Sequence, residues 1–339
     1  MGELKRILIT GASGFIGGYI VEEALRRGYE VWAGVRSGSS RERLQDNRIR
    51  FIDLKYNDKK ALTKQLQQVV STSGAWHYVV HNAGVTKTIN KQDFYKINTL
   101  YTQNLVEALA EADCKPEKFL LMSSLSSFGP IREKSFKIIN SYDRQNPNSA
   151  YGKSKLQAEL VVKKQDYFPY IILRPTGVYG SGDKDYLMEI KSIKLGLDVK
   201  VGMKPQNITF IYVKDLAVSV FLALENNEVR NKSYFVADGD VYTDNEFTGI
   251  VKNQLGKSFA ISIRIPLWMC YVACVFSEFT GKIFGKTMTL NTDKYKILKQ
   301  RNWVCETETI KRDLGFVPKY NLKEGLEETI LYNKEKGLL

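Results

Sequence analysis

A short apolar run followed by three evenly spaced glycines lies near the start of the chain. Residues 7 to 17 read Ile-Leu-Ile-Thr-Gly-Ala-Ser-Gly-Phe-Ile-Gly, and an amphipathic segment follows. This order predicts a strand, a tight turn and a helix. In such a turn Gly11 lets the chain reverse, Gly14 lets the backbone approach a pyrophosphate, and Gly17 lets the helix pack on the strand. The N–H groups at the helix start then bind phosphate.

The glycine turn has two interpretations. A plain strand–helix turn is one, because a glycine triplet alone is a weak signal. Dinucleotide binding is favoured, because the triplet stands between a strand and a helix at the N-terminal end of the chain. The cofactor contacts predicted in this turn are Gly11, Ser13, Gly14, Phe15, Ile16 and Gly17.

Strand-like and helix-like segments alternate through the first half of the chain. This alternation predicts an α/β fold, a Rossmann-type doubly wound parallel sheet with a smaller, mainly helical C-terminal substrate lobe. The predicted strands are 7–9, 29–35, 50–54, 78–81, 119–123 and 170–173, and the predicted helices include 59–70, 91–112 and 151–164. The predicted domains are 1–175 with 209–237 returning to it, a lobe of 176–208 and 238–300, and a C-terminal segment, 301–339.

Composition narrows the class of protein. The chain has 339 residues, a formal net charge of +13, four cysteines and two histidines. Its lysines are spread along the chain and no nucleic-acid motif is present, so an anionic cofactor or substrate is favoured over nucleic acid. Few histidines argue against a metal site, and few cysteines against a disulfide framework. With a strand beginning almost at once and no signal peptide, a cytoplasmic location is expected.

Arg36 follows the second predicted strand, where a dinucleotide-binding fold reads the adenosine ribose. An acidic residue here binds the ribose 2′-hydroxyl of NAD, whereas an arginine pairs with the 2′-phosphate of NADP. Arg41 and Arg43 follow closely. NADP(H) is therefore favoured over NAD(H), and a solvated loop arginine is the alternative interpretation.

Two more strand ends extend the predicted cofactor site. Asp53 and Leu54 are placed to flank the adenine, and small residues after His81 let the chain pass close beneath the cofactor. His81 itself is interpreted as structural, because it falls at a strand-end turn. The predicted contacts here are Asp53, Leu54, Asn82, Ala83 and Gly84.

Tyr151 and Lys155 form a Y-x-x-x-K pattern, which places both side chains on one helix face. A tyrosine with a pKa of about 10 is a poor base at neutral pH. A neighbouring ammonium favours the phenolate and brings the phenol closer to working pH. The serines at 123 and 124 follow the fifth predicted strand, where a hydroxyl can hydrogen-bond a substrate oxygen. The glycine turn, the serine and the Y-x-x-x-K pattern occur in this order, which argues against a coincidental match of the last pattern alone.

Together these motifs resemble those of the extended short-chain dehydrogenases/reductases, the NAD-dependent epimerase/dehydratase superfamily. The resemblance covers nearly the whole chain. The matching segments are Thr10–Gly17, Asp53–Leu54, His81–Gly84, Ser123–Gly129, Tyr151–Lys155, Leu173–Gly180, Phe210–Ala217 and Leu314–Leu326. The roles that the resemblance implies are Tyr151 as catalytic acid/base, Lys155 as its partner on the nicotinamide ribose, Ser124 as the substrate-orienting hydroxyl, Asn98 as the helix asparagine of the catalytic tetrad, and Pro175 as a further cofactor contact. Two positions depart from the family, Phe128 for a common tyrosine and Tyr101 for a common small residue.

Several reactions are compatible with this superfamily. Leu125 and Ser126 stand where 4,6-dehydratases carry an acidic pair, so dehydration is disfavoured. The leading hypothesis is an NADP(H)-dependent oxidoreductase that interconverts a secondary alcohol and a ketone, similar to the 3β-hydroxysteroid-dehydrogenase-like and dihydroflavonol-reductase-like groups. The alternatives are a nucleotide-sugar epimerase or 4-ketoreductase, against which Arg36 argues mildly, and a catalytically silent NADP(H)-binding regulator. Candidate substrate contacts are Thr86, Lys87, Arg174, Thr176 and Tyr179.

The apolar segment 263–286 has three interpretations. Lobe core is favoured, because aromatic residues at helical spacing are usually buried, while a pocket for a flat apolar substrate and a peripheral membrane contact stay open. Its longest apolar run, 265–276, is too short for a membrane span of about 20 residues. The resemblance also implies a homodimer formed through two long helices.

Overall fold

The computed structural model describes residues 4–339, in which strands and helices alternate. The strands are β1 (Arg6–Thr10), β2 (Glu30–Gly34), β3 (Arg50–Ile52), β4 (Tyr78–His81), β5 (Lys118–Met122), β6 (Tyr170–Pro175), β7 (Gly177–Tyr179), β8 (Leu197–Val201), β9 (Asn207–Ile208), β10 (Phe210–Tyr212), β11 (Lys232–Val236), β12 (Tyr242–Thr243) and β13 (Ile261–Ile265). The helices are α1 (Phe15–Arg26), α2 (Lys59–Ser73), α3 (Gln92–Phe94), α4 (Tyr101–Glu111), α5 (Ala150–Lys164), α6 (Asp185–Lys194), α7 (Val213–Glu225), α8 (Asp244–Gln254), α9 (Leu267–Ile283), α10 (Thr292–Leu298), α11 (Glu308–Leu314) and α12 (Leu322–Glu335).

Seven strands form one parallel sheet in the order β11-β6-β5-β4-β1-β2-β3. The strand order reverses between β1 and β4, which opens a crevice at the carboxyl ends of these two strands. The glycine turn after β1 and the small residues after β4 both lie at this crevice. The predicted fold class, a doubly wound parallel sheet, is confirmed.

The sheet is buried on both faces because successive side chains of its strands enter two different cores. In β1, Ile7 and Ile9 join the cluster that contains α1 and α7, whereas Leu8 joins the one that contains α2, α4 and α5. This alternation is the period-2 geometry of a strand. It explains why β1 is apolar at consecutive positions.

A smaller lobe surrounds the carboxyl edge of the sheet. It contains α6, α8, α9 and α10, together with the pairs β10–β7, β12–β9 and β13–β8. Tyr179, Phe210 and Phe247 form much of its core, and α12 closes this core through Leu326 and Ile330. The domain division at residue 175 stays a prediction, and the sheet receives β11 from the returning segment.

Most predicted elements are found within a few residues of their expected bounds, but two features differ. The predicted helix 91–112 is interrupted by a π-helical turn, Tyr95–Leu100, between α3 and α4. The favoured interpretation of 263–286 as lobe core is wrong. Trp268 and Phe276 of α9 are each 68% exposed, because the helix packs inward through Cys270 and Cys274.

A buried carboxylate, Glu159 of α5, links this helix to the carboxyl ends of β5 and β6. It accepts hydrogen bonds from the hydroxyls of Ser123 (2.6 Å) and Ser127 (3.0 Å), and both its oxygens bind the Arg174 guanidinium (3.0 and 2.7 Å). Burial raises the pKa of Glu159, but Arg174 and these hydrogen bonds outweigh it, so the net pKa lies below its ordinary value. The carboxylate therefore stays charged and holds α5 against β5 and β6.

We expect Glu159→Ala to lower the free energy of unfolding by about 3–5 kcal/mol, because it leaves the buried Arg174 charge unpaired. Glu117→Ala is the control, since Glu117 pairs with Lys5 at the surface and its loss costs less than about 1 kcal/mol. Urea denaturation followed by circular dichroism measures both values. Equal effects of the two substitutions would contradict the assignment of Glu159 as the link between α5 and these strand ends.

Candidate active site

The glycine turn after β1 packs so closely against the neighbouring backbone that side chains at Gly11 and Gly17 would clash. Gly11 has φ +65°, and a Cβ added to it would lie 2.8 Å from the Ala83 Cα. A Cβ at Gly17 would lie 2.1 Å from the Gly11 carbonyl oxygen, so this glycine is needed for packing of α1 on β1. The assigned roles of these two glycines therefore match their surroundings.

The start of α1 offers unpaired backbone donors to the crevice. Gly14 is the N-cap and has no side chain to cap the helix, and the first turn from Phe15 to Gly18 has no acidic residue. Ser13, Phe15 and Ile16 are half-buried and Gly14 is exposed. A helix start of this kind suits an anionic group, so the residues present fit the pyrophosphate of a dinucleotide.

The ends of β2 and β3 carry the predicted adenosine contacts. Arg36 is exposed, and no side-chain hydrogen bond or ion pair of its guanidinium is found within residues 4–339. Asp53 accepts a hydrogen bond from the Ser37 N–H (3.0 Å), which fixes the loop beside Arg36. Arg43 lies over the Tyr19 ring and donates to the Ser181 carbonyl oxygen (2.7 Å). Arg36 is thus the more available of these two arginines for a further charge.

Two predicted cofactor contacts have buried side chains. Leu54 is in the core and reaches toward Gly34, and Pro175 is paired with Val236 in the sheet. We therefore expect any cofactor contact at these two positions to be made through the backbone, and their assignment to the cofactor site stays a prediction.

The turn after β4 is held directly to β1. Ala83 donates its N–H to the Thr10 hydroxyl (3.0 Å), and the Asn82 amide donates to the Gly11 carbonyl oxygen (3.4 Å). His81 lies between the hydroxyls of Thr10 and Thr102, each 2.9 Å from one ring nitrogen. Burial, assisted by the Lys155 charge, lowers the pKa of His81 to about 3, so the ring is neutral and links β1, β4 and α4.

The π-helical turn places Asn98 beneath the turn after β4. Its side-chain oxygen accepts from the Val85 N–H (2.8 Å), and its amide donates to the Val85 carbonyl oxygen (3.1 Å) and the Ser154 hydroxyl (2.9 Å). A Cβ at Gly84 would lie 2.9 Å from the Asn98 oxygen and 3.2 Å from Lys155 Nζ. Such π turns are frequent at functional sites, and this one joins the Asn98 side chain to the Tyr151 helix.

Tyr151, Lys155 and Ser124 converge on the crevice. Lys155 donates to the Met122 carbonyl oxygen (2.9 Å) at the end of β5. Burial lowers the pKa of Lys155 to about 8, partly opposed by Glu159. Burial raises the pKa of Tyr151, and a hydrogen bond with Ser124 opposes this rise. The phenol is therefore neutral at pH 7 in the protein alone. The Ser124 hydroxyl also accepts a hydrogen bond from the Ser126 N–H (3.1 Å).

Ser124 differs from the serines around it. It is half-buried and faces Tyr151, whereas Ser123, Ser126 and Ser127 are buried. The hydroxyls of Ser123 and Ser127 are bound to Glu159. Of this serine-rich turn, Ser124 is thus the hydroxyl that a substrate oxygen can reach.

The candidate substrate contacts differ in how accessible their side chains are. Tyr179 is fully buried in the lobe core and its hydroxyl donates to the Asn321 carbonyl oxygen (3.1 Å). Arg174 is 2% exposed and bound to Glu159, so the expectation that either side chain contacts substrate is wrong. Thr86 is exposed and Thr176 half-buried, which leaves both accessible.

Lys87 joins the two lobes. Its ammonium lies 2.6 Å from the Asp185 carboxylate, which also binds Lys294 at 3.3 Å. Burial raises the pKa of Asp185, but the two lysines outweigh it and leave the pKa below its ordinary value. Lys87 is therefore engaged in an ion pair beside the crevice.

Asp293 of α10 is a site residue that the motifs did not reveal. Its carboxylate accepts the backbone N–H of Ala150 (2.6 Å) and of Tyr151 (3.1 Å), although it comes from the second lobe and is 3% exposed. An acidic group at a helix N-terminus is stabilising. Only the capping pattern of Asn291 before α10 is visible in the sequence, and it gives no sign that Asp293 binds another helix.

The comparisons with known proteins concern the chain as a whole. A model of the NAD dependent epimerase/dehydratase family matches residues 7–237. The UDP-glucose 4-epimerase of Vibrio cholerae is 25% identical over 96% of this chain and 94% of its own, and the 3-beta-hydroxysteroid dehydrogenase of Mycolicibacterium neoaurum is 24% identical over 97% and 92%. The crystal structure of the Bordetella bronchiseptica enzyme WbmG in complex with NAD and UDP has a TM-score of 0.77 at 17% identity, covering 99% of this chain and 97% of that one.

We expect Asp293→Ala to loosen the start of α5, because two backbone N–H groups lose their acceptor. The free energy of unfolding should fall by about 1–2 kcal/mol. Hydrogen exchange of the Ala150 and Tyr151 amides, measured by mass spectrometry of the peptide that contains them, should become faster. Asp293→Asn keeps an acceptor oxygen and should show a smaller change.

Exchange in α12 serves as the internal reference, since that helix has its own capping box at Asn321. Unchanged exchange at Ala150 and Tyr151 in Asp293→Ala would show that Asp293 does not support the helix start.

Proposed function

This enzyme belongs to the NAD-dependent epimerase/dehydratase family, and we propose that it interconverts a secondary alcohol and a ketone with NADP(H) as cofactor. The observation that supports the proposal is the position of Tyr151 and Lys155 one turn apart on α5, with Ser124 beside the phenol and the Lys155 ammonium on the Met122 carbonyl oxygen at the end of β5. Nothing in this arrangement requires a metal ion.

The nicotinamide of the dinucleotide, when bound, supplies or accepts the hydride. Ser124 hydrogen-bonds the substrate oxygen and orients the reacting carbon. In the reducing direction Tyr151 gives its phenolic proton to that oxygen, and in the oxidising direction it takes the proton back. Lys155, charged below its pKa of about 8, stabilises the phenolate that forms.

Asn98 and Asp293 act on these groups indirectly. Asn98 binds the Ser154 hydroxyl, which in turn donates to the Tyr151 carbonyl oxygen (2.7 Å). Asp293 binds the Tyr151 N–H. The backbone of Tyr151 is thus held from two sides, which favours a fixed phenol position during proton transfer.

Arg36 supports NADP(H) rather than NAD(H). It is exposed at the end of β2, where an acidic side chain would bind the ribose 2′-hydroxyl. A guanidinium instead offers paired donors to a 2′-phosphate. Two solved structures of similar fold contain NAD. The proposal that this chain prefers NADP(H) therefore depends on Arg36 alone.

A nucleotide-sugar epimerase is the second candidate function. The likeness to the Vibrio cholerae UDP-glucose 4-epimerase favours it, and the same Ser-Tyr-Lys set serves the hydride step of epimerisation. The two candidates differ in cofactor use, because an epimerase recycles its nicotinamide while a reductase consumes it. A silent regulator is disfavoured by the intact Ser124, Tyr151 and Lys155. The cytoplasmic location and the homodimer stay predictions.

We expect Tyr151→Phe to lower kcat by about 100-fold or more, because the proton donor is lost while the ring still fills its place. Turnover of a panel of apolar ketones and nucleotide sugars, followed by NADPH absorbance and by product analysis, measures this. Tyr142→Phe is the matched control on an exposed tyrosine. Unchanged turnover in Tyr151→Phe, with cofactor still bound, would contradict the mechanism.

NADPH should bind at least tenfold more tightly than NADH, and Arg36→Ala should remove most of that preference, because one good phosphate–arginine contact contributes about 1.5–3 kcal/mol. Fluorescence titration of both cofactors measures the ratio. Arg48→Ala is the control, since Arg48 is also exposed but pairs with Asp46. A tenfold preference for NADH in the unaltered protein would overturn the NADP(H) assignment.

A further inference from the structure

The small sheet formed by β8 and β13 turns an apolar face outward and a polar face inward. Leu197 and Val199 pair with Ile261 and Ile263, and all four side chains are exposed. The residues between them point inward, with Asp198 only 1% exposed. A sheet on the surface of a water-soluble domain ordinarily shows the opposite arrangement.

The inward face of this sheet is a satisfied polar network. The Asp198 carboxylate binds the Lys200 ammonium (2.9 Å) and accepts from the Ser262 hydroxyl (2.6 Å). Arg264 pairs with Asp244 (2.9 Å). Because these bonded groups determine which face of the sheet points inward, the aliphatic face must point outward. The exposure therefore involves the whole face and not one side chain.

Helix α9 continues this apolar surface. The chain passes from β13 through Pro266 directly into α9, and the Gly202 N–H at the end of β8 donates to the Ile265 carbonyl oxygen (2.8 Å). The outward stripe of the helix repeats every three or four residues, and all its members are exposed. They are Trp268, Val272, Val275, Phe276, Phe279 and Ile283.

Hereafter the docking face means the exposed apolar side chains of 195–203, 259–263 and 267–284. Tyr271, Val272 and Val275 line a shallow apolar depression on it together with Phe276 and Phe279. These five side chains line one depression and are therefore contiguous, and a contiguous exposed apolar patch marks an interaction site.

The exposed charges on the segments that carry the docking face have one sign, and the exposed acidic residue Glu189 lies just before the first of these segments. Within the described stretches 191–204 and 257–290, every exposed charged side chain is a lysine. These are Lys191, Lys194, Lys204, Lys257, Lys282 and Lys286. The two acidic residues of these stretches are engaged, Asp198 in the inward network and Glu278 with Thr292 (2.6 Å) and Lys282 (3.2 Å), so Lys282 is the one of these lysines that is already paired there.

We propose that the docking face binds the surface of an anionic phospholipid bilayer, with α9 lying in the interface. Aromatic and aliphatic side chains enter the headgroup–acyl boundary while the lysines meet lipid phosphates. No helix among residues 4–339 is long and apolar enough to cross a bilayer, and α9 therefore lies along the surface. The proposal concerns a surface outside the catalytic crevice and does not depend on the proposed reaction.

A second copy of this chain is a poorer occupant of the docking face. In a two-fold interface the same surface meets itself, so the lysines of each copy would face the lysines of the other. An anionic bilayer removes that repulsion and offers the opposite charge. Charge complementarity thus favours the bilayer.

The test is binding of the full chain to extruded vesicles. We expect co-sedimentation with vesicles of phosphatidylcholine mixed with phosphatidylglycerol, weaker binding to phosphatidylcholine alone, and loss of binding as salt rises. Trp268 fluorescence should shift to shorter wavelength and be quenched by brominated acyl chains. Phe276→Glu should lower the partition coefficient by about tenfold or more, since an aromatic side chain no longer enters the apolar layer.

Matched variants separate apolar insertion from charge. Leu331→Glu alters an exposed leucine of α12 and should bind as the unaltered protein does. Lys194→Glu with Lys286→Glu should weaken binding to anionic vesicles about tenfold or more and leave neutral vesicles unaffected. Lys334→Glu with Lys336→Glu is the equivalent change at the C-terminal helix and should have little effect.

Three results would overturn the proposal. In the first, the unaltered protein stays in the supernatant when anionic vesicles are sedimented. In the second, Phe276→Glu and a further variant, Val272→Glu, both bind vesicles as well as the unaltered protein. In the third, Phe276→Glu changes a dimer into a monomer in sedimentation velocity while vesicles bind neither protein, which would assign the face to a second copy. Thermal unfolding of each variant checks that it folds.

Discussion

The buried Glu159 carboxylate connects the parts of the protein on which the candidate chemistry depends. It lies on the same helix as Tyr151 and Lys155, and it binds Ser123 at the end of β5 and Arg174 at the end of β6. Its charge is stabilised chiefly by the buried Arg174 beside it, with the Ser123 hydroxyl and Lys163 also contributing. With both ions paired, the helix that carries the phenol is fixed relative to the strand that carries Ser124. Proton transfer needs that fixed relation, since a displacement of about 1 Å is enough to slow catalysis.

A second chain of contacts leads from the catalytic helix to the surface of the smaller lobe. Asp293 holds the N–H of Tyr151, and the adjoining Thr292 donates its N–H (3.0 Å) and hydroxyl (2.6 Å) to Glu278 of α9. Helix α9 is the centre of the exposed docking face. Two adjacent residues, Thr292 and Asp293, thus connect the start of α5 to α9, whose aromatic side chains are exposed. Substrate crevice and docking face are parts of one connected structure.

The order of the motifs was sufficient to predict the parallel sheet and the helix that carries the candidate pair Tyr151 and Lys155. Strand, turn and helix around Gly11 follow from apolar runs and glycine spacing, and the four-residue interval between Tyr151 and Lys155 places both on one helix face. The interpretation of His81 as structural also agrees with its two hydroxyl partners. Tyr179 and Arg174 were misjudged, because residues at the end of a strand near a site can point into the core as easily as into the crevice. Burial of this kind depends on neighbours that a local pattern does not contain.

Local order along the chain therefore accounts for which segments become strands and helices, and for functional pairs that lie one helical turn apart. These features need only the period of the backbone and the chemistry of nearby side chains. Packing between distant segments accounts for the rest: Asp293 meets Tyr151 across 142 residues, and the inward Asp198 network turns the aliphatic side of β8 and β13 outward. An apolar helix such as α9 has the same sequence pattern whether it is covered or exposed. The arrangement of the other elements decides whether the helix is covered or exposed, because exposure depends on the space around a side chain and not on its own segment.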